Sequence, residues 1–296
     1  MTEPVNTLTK IRSTLPVRFV TDIIEIVINR NLNGYAQMVA YHLLFATAPL
    51  LIVITAGAGA ITRAVNDDLE NPALPVLNWM QENFPAEVAD FLRGPIESAI
   101  NQQANWAFSI GSILALWGAR GAIAAIMRGL NVAYGIEKEP RNFIVTNLIA
   151  TALAILLVVL VATSGIVYTL STSFGADLAE RLGFLDSFNR FAAIATYPFM
   201  LLIAVGAFVV LNRYGPAWRG PVRAYIPGAI FTVLGLYIST FALSFWFSIS
   251  GGFSEAYGVF GSVLVFIFFL YVMALIVLLG GAINATWHRF AQAQHD

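Results

Sequence analysis

The chain has 296 residues, 58% apolar and only 11% charged, with a net charge of −1 and no cysteine. That share of charge is less than half of what soluble domains use to cover their surface, so the composition fits a polytopic membrane protein. The absence of a basic surplus argues against a dedicated nucleic-acid binder, and the missing cysteine excludes disulfides and thiolate metal sites while leaving the redox compartment undecided.

The chain opens with a polar stretch, residues 1–35, that carries Lys10, Arg12, Arg18, Asp22, Glu25 and Arg30 and lacks the apolar core of a cleaved leader. The first membrane span is therefore expected to act as the insertion signal. Val17, Val20, Ile24, Val27 and Ile28 recur at helical spacing, with Arg18, Asp22, Glu25 and Asn29 opposite them. This pattern predicts an amphipathic helix at the cytoplasmic interface; a small soluble helix packed on the loops is the alternative.

Crossing a hydrocarbon layer of about 30 Å takes roughly 20 apolar residues in helix. Six runs qualify: Val39–Ile61, Trp106–Met127, Phe143–Tyr168, Phe191–Leu211, Tyr225–Ile249 and Val259–Ile283. In lipid every backbone donor must be satisfied within its own segment, so the expected fold is all-α. The domain plan is an interfacial segment 1–35, a six-helix membrane domain 36–284 and a tail 285–296. Lys10, Arg12, Arg18, Arg30, Arg128, Lys138, Arg141, Arg213, Arg219, Arg223 and Arg289 fall on one side, against Arg63, Arg93, Arg181 and Arg190 on the other. Both termini are accordingly expected in the cytoplasm, with the protein a multi-pass component of the inner membrane. The first outer loop, residues 62–105, is acidic. Val76, Leu77, Trp79, Met80, Val88, Phe91 and Leu92 suggest short amphipathic helices lying over the bundle, although a solvated acidic loop fits equally.

The first span carries Gln37, Tyr41, His42, Thr47 and Pro49. His42 sits near the cytoplasmic end, where an imidazole either hydrogen-bonds or exchanges protons, and Pro49 exposes a carbonyl. On the second span, Gly111, Ala115, Gly118, Ala122, Ala125 and Gly129 form a narrow stripe of small residues, the pattern of a helix-packing seam in lipid. Trp117, Arg120, Arg128, Asn131 and Tyr134 gather on the far side. Arg120 stands apart, roughly 10 Å inside the expected end at Met127 at 1.5 Å per residue. A charge at that depth costs at least about 2–3 kcal/mol unless it pairs, snorkels or meets water. None of the six runs contains Asp or Glu, so its partner is a helix-end carbonyl, a Tyr or Asn, water or an anionic ligand. A guanidinium fork suits phosphate or carboxylate; a structural arginine that snorkels or ties two helices together is the competing reading. Gly228, Gly235, Ser239 and Ala242 make a small-residue face on the fifth span, for packing or sliding.

These residues resemble the YihY/virulence factor BrkB family of bacterial inner-membrane proteins over nearly the whole chain after about residue 20. The resemblance rests on Ala40–Tyr41 with Pro49, on Trp117, Arg120, Gly121, Arg128, Asn131 and Tyr134, on Arg213 and Pro216, on Pro227–Gly228–Ala229, and on Tyr257–Gly258, Gly261, Tyr271, Leu279–Gly280 and Asn284. Asn212 departs from a usual tyrosine, Phe269 from a frequent tryptophan, and Ala282 from a usual glutamate, which puts carboxylate-based coupling in doubt here. The resemblance implies six membrane helices and a cytoplasmic-membrane location. Its functional associations are divided between a ribonuclease BN label, serum resistance, and lipid or envelope export.

A ribonuclease needs acids or histidines able to hold catalytic metal where RNA can reach them. Here the acids lie mostly on the outer side, and those inside are scattered. No catalytic residue, cofactor or metal site is expected, and no nucleic-acid partner. The expectation is a non-enzymatic transporter or flippase-like protein with a cytoplasmic-side, Arg-lined cavity for an anionic or amphiphilic substrate, foremost a lipid or glycolipid headgroup. Its expected binding residues are Arg120, Arg128, Asn131, Tyr41, His42, Trp117, Tyr134 and Asn284. The alternative is a non-catalytic envelope scaffold, and a homo-oligomer is left open.

Overall fold

The structure, a computed structural model, describes residues 15–47, 74–101, 105–169, 179–183, 185–249 and 259–292, and contains no strand among them. The helices are α1 (Leu15–Asn29), α2 (described over residues 32–47), α3 (Leu74–Asn83), α4 (Ala86–Asn101), α5 (Asn105–Ala133), α6 (Phe143–Thr169), α7 (Leu185–Tyr214), α8 (Ile226–Ile249) and α9 (Val259–Gln292), with a 3₁₀ turn at Val222–Tyr225. Five of them are long and apolar enough to cross a membrane: Ile113–Ala133, Phe143–Leu160, Arg190–Tyr214, Val222–Ile249 and Phe260–Gln292. The first expected span, Val39–Ile61, is helical over 39–47; its remainder with Pro49, residues 1–14, 62–73 and Tyr257–Gly258 lie outside the described residues.

Two boundaries differ from expectation, for local reasons. The second span continues past Met127 to Ala133 because Arg128 and Asn131 are compatible with helix, and nothing stops it until Gly135. That glycine takes φ +85°, and the amides of Gly135 and Ile136 donate to the carbonyls of Val132 (3.0 Å) and Asn131 (2.8 Å). This is a Schellman closure, which needs a residue without Cβ at the left-handed position. The last helix runs eight residues beyond Asn284, to Gln292. Between α1 and α2 the chain turns at Asn31, whose φ is +52° and whose Oδ1 accepts from the Gly34 amide at 3.3 Å. Asparagine suits both duties: it tolerates the left-handed region and caps the following helix.

The helices α1, α2, α5, α6, α7, α8 and α9 bring one set of ends together with the 134–142 and 215–225 connections; this basic end holds Arg30, Arg141 and Arg219. The small-residue stripe of α5 is a packing seam. Gly118 lies against the Ala46 backbone, Gly121 against His42, and Gly129 against Leu278 and Tyr35, while Ala115, Ala122 and Ala125 are buried; the side-chain surroundings of Gly111 lie outside the described set. On the fifth span, Gly228 meets the Gly280 backbone, Gly235 meets Ile276 and Ser239 reaches Met273, so this face packs on α9; Ala242 is exposed. In lipid no hydrophobic drive presses helices together, and close backbone approach supplies the attraction instead.

At the opposite end α3 and α4 cover the bundle. Leu77, Met80, Val88, Leu92 and Ile96 are buried on Leu243 and Phe247 of α8 and Val265, Phe266 and Phe269 of α9. The helical pattern in this acidic loop thus forms folded helices, with Glu82, Asp90 and Glu97 left exposed. Helix α1 docks through Ile23, Ile26 and Val27 on the core and through Phe19 on Trp287 and Phe290. Val20, Ile24 and Ile28, grouped with Val27 in the sequence pattern, stay exposed.

Candidate functional site

Arg120 projects from α5 at its border with α6 and donates to the Asn147 Oδ1. Asn147 is held for this contact, since its Nδ2 donates to the Phe143 carbonyl at 2.8 Å in its own helix. Asn147 lies four residues into α6, about 6 Å from the start of that helix at 1.5 Å per residue. The long arginine side chain therefore reaches toward the basic end, and its fork meets a neutral amide oxygen rather than a carboxylate. Arg120 is half-buried.

Two further groups share this flank. Arg128, two turns on along α5, is exposed and donates to Met38 Sδ of α2 at 3.1 Å, a weak acceptor. His42 lies against Gly121 and within the fields of both Arg128 and Arg120. Tyr41 packs edge-on against His42, ring centroids 5.7 Å apart. Tyr41 and Trp117 are both exposed, at 59% and 65%. No acid occurs in residues 32–47, in α5 or in α6.

The other three expected binding residues lie in a different neighbourhood, inside the basic end. Asn131 is buried; its Nδ2 donates to Glu139 Oε2 at 2.6 Å and its Oδ1 accepts from the Ala217 amide at 2.7 Å. Glu139 is gripped by Arg141 through Nε (2.6 Å) and a terminal guanidinium nitrogen (2.9 Å). Those hydrogen bonds hold the Glu139 carboxyl below the usual carboxylate range. Arg141 also donates to the Gly215 carbonyl at 2.8 Å, so one clasp joins the α5–α6 and α7–α8 connections. Asn284 is fully buried, and its Oδ1 accepts from the Gly228 amide at 2.7 Å, capping the first turn of α8. Tyr134 stacks on Trp218 (centroids 4.7 Å, 10°), which meets Tyr225 and His288 edge-on. The Tyr134 hydroxyl lies near the Asn284 amide without a well-formed hydrogen bond, and burial pushes its pKa well up, so it stays neutral.

The eight residues thus separate into a cationic flank (Arg120, Arg128, His42, Tyr41, Trp117) and an interior polar junction (Asn131, Tyr134, Asn284). Sequence reading missed Asn147, Glu139 and Arg141 as partners, and also Arg30, whose guanidinium donates to the Val132 carbonyl at 2.9 Å at the end of α5. Arg30 follows directly on the amphipathic pattern, which ends at Asn29, and in the structure it faces the C-terminal end of α5. The described residues also form a small lateral cleft lined by Ile123, Leu153, Leu157, Leu160, Ala207 and Val210. It is apolar and does not include Arg120. Chemically, the flank can hold an anion, while the junction presents neutral groups in packed surroundings. No group of three His, Cys, Asp or Glu side chains able to hold a metal gathers among the described residues.

The family model for Virulence factor BrkB matches residues 23–296. A putative ribonuclease-like protein, YfkH of Bacillus subtilis (strain 168), is 28% identical over 253 residues, covering 84% of this chain and 88% of its own length. No solved structure gives a significant match.

Proposed function

This chain belongs to the Virulence factor BrkB family of membrane proteins, and from that premise we propose that it is a transporter or flippase-like carrier for an anionic or amphiphilic substrate, foremost a lipid or glycolipid headgroup. The observation that carries this reading is the flank of α5. Arg120 and Arg128 have one neutral side-chain partner each among the described residues, Asn147 and Met38, and the helices around them hold no acid. A desolvated guanidinium without a counterion favours an arriving anion. The site is a lateral face of the bundle rather than an enclosed cavity, with Arg120 half-buried and Arg128 exposed.

We place both termini and the basic end in the cytoplasm and the chain in the inner membrane, with the exposed ridge Val20, Ile24 and Ile28 of α1 in the interface. A sixth span at residues 39–61 completes this topology. No phosphate-binding loop for ATP occurs in the sequence, so movement follows a substrate or ion gradient. We read the protein as non-enzymatic, with no nucleic-acid partner; the ribonuclease-like wording belongs to the Bacillus relative. A second reading, an envelope scaffold, draws on the exposed acids Glu82, Asp90 and Glu97 on α3 and α4.

Reconstituted vesicles carrying labelled anionic lipid separate the readings. Arg120→Gln is expected to abolish lipid movement with folding intact, whereas Glu82→Gln, Asp90→Asn and Glu97→Gln together leave it unchanged. Unchanged movement in Arg120→Gln contradicts the carrier reading; no movement by the wild type above protein-free vesicles favours the scaffold.

A further inference from the structure

We propose that Asn147 is the resting ligand of Arg120, and that the group displacing it is a phosphomonoester bearing two negative charges, held between Arg120 and Arg128 beside His42. This rests on the carrier reading and narrows its substrate class. Asn147 offers one neutral acceptor to a fork with five donors. With its own amide nitrogen committed to the Phe143 carbonyl, it can direct the guanidinium but cannot neutralise it. A carboxylate at that position would form a strong, charge-assisted, bidentate pair; the amide keeps the arginine aimed and exchangeable.

The charge balance defines the ligand. The groups facing His42 are Arg120 and Arg128 from α5 and Tyr41 from its own helix; Asn147 is what α6 adds beside Arg120. Two fixed positive charges face no acid on any of these three helices. A phosphomonoester brings about −1.5 to −2 charges at pH 7 and three terminal oxygens, enough to engage both forks, with His42 as a further donor. A zwitterionic phosphodiester brings one negative charge and an ammonium that finds no carboxylate here, so it leaves one guanidinium unbalanced. Inorganic phosphate and a lipid ending in a phosphomonoester share this chemistry.

The test uses the full chain in phosphatidylcholine nanodiscs doped with phosphatidic acid or phosphatidylglycerol, with bound lipid counted by native mass spectrometry and inorganic phosphate added as competitor. The wild type is expected to retain phosphatidic acid about tenfold over phosphatidylcholine, a difference of about 1.4 kcal/mol, and also above phosphatidylglycerol. Arg128→Gln should remove the advantage of phosphatidic acid over phosphatidylglycerol. Asn147→Asp, which gives Arg120 a permanent counterion, should lower phosphatidic acid retention about tenfold while the melting temperature holds or rises; Asn147→Leu should keep it. A merely structural Asn147 predicts the same stability for the Asp variant but unchanged lipid retention. Displacement by inorganic phosphate assigns the free ion, and resistance to it assigns the lipid. Equal retention of phosphatidic acid and phosphatidylcholine by the wild type, or wild-type retention in Asn147→Asp, overturns the proposal, and Arg128→Gln decides it if Asn147→Asp does not fold. Where Arg120→Gln stops lipid movement but no phosphomonoester preference exists, this inference fails and the carrier reading stands. Where Arg120→Gln changes neither, the carrier reading fails.

Discussion

Two sets of arginines flank the last turns of α5 and are treated differently. Arg30, Arg141 and Arg219 at the basic end are closed by protein. Arg30 donates to the helix-end carbonyls of Val132 and Ala133, Arg141 to Glu139 and Gly215, and Arg219 to the carbonyls of Arg213, Pro216 and Trp218. Arg120 and Arg128, on the flank, meet an amide oxygen and a thioether. The first set completes hydrogen bonding that helix termini would otherwise lack, and so belongs to stability. The second leaves most donors of each fork without a protein acceptor among the described residues, and so belongs to binding. Residue type alone does not separate them; what separates them is whether a helix end or a carboxylate lies within reach.

This contrast can be broken or sharpened by mutation, and the largest effect is expected deep in the junction. A Cβ at Gly228 would collide with the Gly280 carbonyl oxygen and the Asn284 side chain. Gly228→Ala should therefore destabilise by about 3 kcal/mol, the upper range for overpacking a tight site, seen as loss of monodisperse protein in a thermal ramp. Arg30→Ala comes next. It leaves the Val132 and Ala133 carbonyls unanswered and should cost about 2 kcal/mol, as for other charged hydrogen bonds, read as a lowered melting temperature. Asn284→Ala removes the Gly228 cap at about 1 kcal/mol, again read by melting.

The clasp adds a pH signature of smaller size. Hydrogen bonds from Arg141 hold the folded-state pKa of Glu139 below the ordinary 4.5. Its stabilisation is then complete above that ordinary value and is lost as pH falls through the folded one. Melting curves taken downward from neutral pH should show a decline in the acid range that Glu139→Gln lacks. The smallest effect on stability is expected at the flank: Arg120→Gln should melt like the wild type, because it removes one exchangeable contact and relieves an unpaired charge.

Five of the six expected spans could be read from sequence because lipid demands long uninterrupted apolar runs, and α3 and α4 because Leu77, Met80, Val88 and Leu92 keep helical spacing. Arg120 was legible as a charge in need of a partner. The partner was not legible, since Asn147 lies 27 residues away on another helix and the register of α5 against α6 is set by the turn at Gly135. Asn131 and Asn284 show the opposite failure. Each is a polar residue near a span end, which in a sequence looks like a pore lining, yet both neighbourhoods are decided by other segments folded against them, the connections holding Glu139 and Ala217 for one and the first turn of α8 at Gly228 for the other. The exposed ridge of α1 was likewise hidden, because one helical pattern contained both the residues that dock and those that do not.

The most direct test of this division is a paired comparison of Arg30→Gln and Arg120→Gln, purified alongside the wild type, with melting temperature and co-purified anionic lipid measured on the same samples. The account predicts that Arg30→Gln melts lower and keeps its lipid, while Arg120→Gln melts unchanged and loses it. Equal lipid content in wild type and Arg120→Gln, or a drop in melting temperature for Arg120→Gln as large as that for Arg30→Gln, would contradict it.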